Sequence, residues 1–71
     1  MSAYAVVIEG SGDSFSAYVL ELPGCIATGA SIEEAESETR QAIVEHVKSL
    51  REHGEPVPEP TTAAVRVVEV A

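Results

Sequence analysis

The chain has 71 residues, 12 of them Asp or Glu against 4 Lys or Arg, for a formal net charge of −8, and only 4% are aromatic. That length supports a single domain over residues 1–71 near the lower limit for a self-sufficient core, since such chains bury about 60% of their unfolded surface. Arg40, Lys48, Arg51 and Arg66 are scattered among acids, which argues against a phosphate-tracking surface and direct nucleic-acid binding by one chain. The single Cys25 excludes an internal disulfide and points to a reducing compartment. No apolar run approaches the ~18 residues of a membrane span, and the N-terminus carries no signal pattern. The expectation is a cytoplasmic protein without membrane contact, steered by its charge toward basic partners.

Residues 3–9 alternate as a strand, with Tyr4, Val6 and Ile8 on one face and Ala3, Ala5 and Val7 on the other. Gly10-Ser11-Gly12-Asp13 is a turn cluster. Residues 15–22 form a second strand, giving a hairpin with the first. Leu22-Pro23-Gly24-Cys25 follows. Pro23 presets a turn and Gly24 tolerates positive φ, so the chain reverses there into a short third strand at 25–28, stopped by Gly29.

The helix begins at a capping box, Ser31 with Glu34 three residues on. It runs to about residue 53, where Gly54 takes the C′ position and Pro56 forbids continuation. Ile32, Ala35, Ala42, Ile43, Val47 and Leu50 form its apolar side, with Thr39 bridging the stripe. Glu36 with Arg40, and Glu45 with Lys48, are spaced as ion pairs on the outer side. Residues 54–60, with Pro56, Pro58 and Pro60, read as a stiff extended connector. Residues 64–70 are the fourth predicted strand.

The order β-β-β-α-β predicts an α+β two-layer sandwich. The first three strands form an antiparallel meander, and a right-handed crossover places the fourth beside the first, in sheet order 3-2-1-4. One helix covers one sheet face, yet both faces of the first two strands carry apolar residues. An uncovered patch is therefore expected from residues such as Val7, Phe15 and Val19. A helix of about 22 residues spans ~33 Å, whereas a seven-residue strand covers ~23 Å. Val47 and Leu50 should overhang the sheet. Both points favour a homodimer or a higher oligomer such as a tetramer.

The sequence offers little for catalysis. Cys25 has no neighbouring base and reads as a small core residue. His46 and His53 share a helix face without a third metal ligand. Glu9, Asp13 and Glu21 lie at strand ends and in the hairpin turn, but no spacing enforces a two-metal cluster. No catalytic residue, metal or cofactor is expected.

With Tyr4 and Glu9 in the first strand, Gly12-Asp13, and Phe15-Ser16-Ala17 opening the second, the pattern continues through Leu22, Pro23, Gly24, Cys25, Gly29, Ser31 and Glu34. It closes on Ala42-Ile43, Gly54 and the run to Pro60 that contains Pro58. In this order the chain resembles the HicB-like antitoxin family, over nearly its whole length. The resemblance implies a partial, catalytically degenerate ribonuclease-H-like fold. It also implies a non-enzymatic role in binding and masking a small basic HicA-type RNA-cleaving toxin. Members of that family often carry a C-terminal DNA-binding segment; here the expectation is a HicB-like domain without one. The competing expectation is a stand-alone structural or regulatory homo-oligomer. A residual nuclease using Glu9 or Glu21 is a third.

Overall fold

Tight antiparallel connections build the sheet. In the computed structural model, which describes residues 3–71, β1 (Val6–Ser11) pairs with β2 (Ser14–Val19), and β2 with β3 (Ile26–Gly29). Ser11 lies opposite Ser14, so Gly12 and Asp13 alone make the first turn and β1 runs two residues beyond its predicted end. The second strand stops at Val19, three residues short of the prediction. Leu22 N–H donates to the Val19 carbonyl, and Cys25 N–H to the Leu22 carbonyl. These bonds curl the chain through Pro23 and Gly24, the latter at φ 85°.

The register settles which side chains share a face. Val6, Ile8, Phe15, Ala17, Val19 and Ala27 point one way, and Val7, Glu9, Ser16, Tyr18, Ile26 and Thr28 the other. The first set meets the helix α1 (Ile32–Glu52), and Ala17 and Val19 are buried there. Val19, Leu22 and Cys25 form the centre of the core. Tyr4, Val6, Ala42, Ile43 and Val47 pack around it.

Helix α1 approaches the sheet through two fully buried residues of modest size, Ala35 and Thr39. The Thr39 hydroxyl is satisfied within the helix, donating to the Ala35 carbonyl at 2.7 Å. Thr39 is thus a core residue, whereas Ile32, assigned to the buried stripe by spacing, is 52% exposed. Gly29 permits the close approach: a Cβ there would stand 2.5 Å from Ala35 N and 3.0 Å from Ala35 Cα.

Both helix ends are closed by local chemistry. Ser31 Oγ accepts from Glu34 N–H at 3.0 Å, and Glu34 Oε1 reaches back to Ala30 N–H at 3.2 Å, one residue before the cap. At the other end, Gly54 N–H donates to the Arg51 carbonyl and Glu55 N–H to the Leu50 carbonyl, a Schellman closure. The outer-face charges pair differently from their spacing. Among the described residues, Lys48 approaches Glu52 at 4.0 Å, and Glu45 accepts from Gln41. Such exposed pairs contribute little to stability.

The connector comes back past the residue ahead of β1, with the Tyr4 hydroxyl donating to the Pro58 carbonyl at 2.7 Å. The fourth strand does not form. The sheet has three strands in the order β1-β2-β3, not 3-2-1-4, and 63–71 pairs with nothing else in the described chain. Just before this segment, Thr62 N–H and hydroxyl both donate to Glu21 Oε2 in the β2–β3 turn. That tether holds the chain at the end of the sheet, and the following residues leave the body as an exposed arm. The radius of gyration, 13.3 Å, exceeds the ~11 Å of a compact chain of this length. The long axis of 46 Å against 25 and 19 Å has the same origin.

Candidate functional site

The sheet face away from the helix is bare. Val7 lies directly opposite Tyr18, and Tyr18 opposite Ile26, so an apolar row crosses all three strands. Ile26 is 64% exposed, and Leu20 just beyond β2 is 45% exposed. Toward the hairpin turn the same face becomes polar through Glu9, Ser16 and Thr28. The Tyr18 hydroxyl leans on Glu9 Oε1 at 3.4 Å, a long contact that leaves both groups available to a partner. An exposed apolar strip with a polar, acidic margin is the anatomy of a protein-binding surface.

Of the residues expected on an uncovered patch, only Val7 is here. Phe15 and Val19 belong to the helix side, and Val19 is buried in the core. Val47 packs on that core as well, and Leu50 is half-buried in the last turns of α1. Tyr18, Leu20 and Ile26 were missed. A usable signal was present: Ser14, Ser16 and Tyr18 carry hydroxyls and alternate with Phe15, Ala17 and Val19, which marks the water side of β2.

The motif residues serve the fold. Leu22 and Cys25 are buried, Pro23 and Gly24 sit exposed in the turn, Ser31 and Glu34 cap the helix, and Gly54 closes it. Burial pushes the Cys25 thiol above its usual range, the reverse of what a nucleophile needs. His53 Nδ1 donates to the Ser49 carbonyl at 2.7 Å. Among the described residues, no group of three or more His, Cys, Asp or Glu is placed to hold a metal ion.

Glu21 and Glu9 are not brought together: Glu21 lies beyond the Val19 end of β2, and Glu9 faces Ser16 near the other end. Hydrogen bonding from the Thr62 hydroxyl, with weaker help from nearby backbone N–H groups, holds the Glu21 carboxyl below the usual carboxylate range against an opposing desolvation. Glu21 is the tether of the arm.

Charge is unevenly divided. Arg66 and Glu69 cancel within the arm, so the formal −8 resides on residues 1–62. No helix of the described residues is long and apolar enough to cross a membrane.

A family model described as the HicB_like antitoxin of bacterial toxin-antitoxin system matches residues 4–69, from ahead of β1 into the arm. No curated protein and no solved structure matches the chain.

Proposed function

The chain belongs to the HicB-like antitoxin family, and on that premise we propose that it binds a small basic HicA-type RNA-cleaving toxin and masks the toxin's catalytic surface. The role is non-enzymatic and is exercised in the cytoplasm by a homo-oligomer. The observation that carries this reading is the bare sheet face, where Tyr18 and Ile26 are exposed beside Glu9 on a body of net charge −8. Acidic potential would steer a basic partner to the surface, and the apolar row would supply the desolvated centre of the contact.

Co-expression with the small basic product of an adjacent reading frame should give a complex that weakens as salt is raised. Ile26→Asp, on an exposed side chain, should lower affinity by at least tenfold while leaving the helical content unchanged. Absence of any co-purifying basic partner, or full affinity in the Ile26→Asp protein, would overturn the reading. A stand-alone regulatory homo-oligomer is the second reading, favoured by the unpaired arm. We also propose that the partial ribonuclease-H-like sheet order is reached only when a further strand lies beside β1.

A further inference from the structure

We infer that residues 63–71 are an exchange arm, and that their binding site is the open edge of β1 in a second copy of this chain. The arm has the composition of a strand buried on both faces. Val65 and Val67 fall on one side with Glu69, and Val68 and Val70 on the other with Arg66, so each face of an extended backbone carries two valines and one charge near its edge. In one chain these side chains stand in water: Val67 is 97% exposed, Val70 88% and Val68 75%. The backbone has no strand partner there. Within the described chain, the hydrogen bond of this segment is from Arg66 Nη1 to the adjacent Val65 carbonyl.

The acceptor is equally explicit. β1 is an outer strand, with β2 on one side and no strand on the other among the described residues. Leu20 N–H donates to the Ala5 carbonyl, and Val6 is opposite Val19, which fixes the phase of the antiparallel ladder. Ala5, Val7 and Glu9 direct their backbone groups to β2. Val6, Ile8 and Gly10 therefore direct theirs to the open edge, three N–H and C=O pairs awaiting a strand. Val6, Val7 and Ile8 are only half-buried, and an added strand would complete their cover.

Three observations select a second copy as the occupant. Thr62 is tethered to Glu21, and the arm that follows it stands exposed while the outer edge of β1 has no strand beside it among the described residues. Donor and acceptor are thus both vacant in every chain, and a two-fold exchange fills both at once and closes. The arm is electrically neutral, so it can approach an acidic body without adding repulsion. The family match runs through residue 69 and so includes most of the arm in the domain proper. Each sheet of the exchanged pair would have the order β3-β2-β1-arm, the predicted four-stranded order with its last strand supplied in trans.

The test uses the intact chain without any toxin. Molar mass by light scattering or sedimentation at tens of micromolar should be that of a dimer or a multiple of it. Val67→Pro and Val68→Asp should each weaken association at least tenfold while the circular dichroism of α1 stays unchanged, since the arm touches little of the body. In a mixture of differently isotope-labelled copies, filtered nuclear Overhauser contacts should join arm valine methyls of one copy to Val6–Gly10 backbone protons of the other. A monomeric chain, a dimer indifferent to both arm variants, or arm-to-β1 contacts found only within one copy would each overturn the exchange.

Discussion

Gly29→Ala is the sharpest perturbation the fold offers, because its effect arises from packing alone. Gly29 does not occupy a left-handed backbone conformation, so alanine brings no φ strain. Its added methyl, however, would sit 2.5 Å from Ala35 N and 3.0 Å from both Ala35 Cα and Glu34 C. All three are backbone atoms of the first helical turn and cannot swing aside as a side chain would. Relief requires moving the start of α1 away from β3. Overpacking of this kind costs about 1–3 kcal/mol. The shift also strains the Ala35 N–H bond to the Ser31 carbonyl, now 3.0 Å long, for about 1 kcal/mol more. Replacing glycine returns about 0.4–1 kcal/mol through the unfolded chain. The net loss is about 1–3.5 kcal/mol, a large part of the ~4–11 kcal/mol available to a chain of this size. At about 4–8 °C per kcal/mol, the melting temperature should fall by about 4–28 °C. Helical circular dichroism in a urea titration, at fixed protein concentration because association contributes to stability, measures it. Gly24→Ala is the control: that glycine has φ 85° but no atom within 4 Å of its would-be Cβ, so about 1–2 kcal/mol of backbone strain is all that applies. A Gly29→Ala protein within about 0.5 kcal/mol of the parent, or more stable than Gly24→Ala, would refute the close-approach argument.

Two further predictions concern titratable groups. Cys25, buried and with its thiol pushed up, should react with an aromatic disulfide reagent only as fast as the domain opens; immediate labelling of the native protein would contradict its place in the core. Glu21 has a folded-state pKa below the ordinary 4.5, so the stability it lends the Thr62 tether is complete above that value and disappears as pH falls through the lowered one. The Thr62 amide resonance should accordingly shift with an inflection below pH 4.5, and Glu21→Gln should abolish that inflection; an unchanged profile in the variant would remove Glu21 as the cause.

Elements governed by local chemistry were legible in the sequence: the Ser31 cap, the Gly54 closure, the Pro23-Gly24 reversal and the three-strand meander. The cap, the closure and the reversal each depend on residues within about five positions of one another, and the meander follows from two such tight reversals, its pairs widening from Ser11–Ser14 to Val6–Val19. Two features were not. Whether Val7 or Val19 faces the helix depends on which alternating set α1 covers, a tertiary choice that apolar residues on both faces leave open. The hydroxyls at Ser14, Ser16 and Tyr18 were the discriminating signal. The fate of 64–70 was likewise beyond local pattern: valine alternation identifies a strand-forming segment, but a strand also needs a neighbour. The Thr62–Glu21 tether just ahead of this one joins residues 41 apart in sequence.

The division of charge separates the two associations that this chain is proposed to make. Two copies, each at −8, repel one another through water over distances of the screening length, about 8–10 Å at 0.10–0.15 M salt. The neutral, valine-rich arm reaches beyond the acidic body, so its contacts depend on apolar burial and backbone pairing, which salt does not weaken. Added salt relieves the repulsion between bodies and favours the exchanged pair. The same salt would screen the attraction between the acidic body and the basic toxin proposed for it, and so loosen that complex. Opposite responses to ionic strength follow from placing every net charge on residues 1–62 and none on the arm. They also explain how one small domain can hold a partner of its own kind at one edge while keeping a face of opposite character for another.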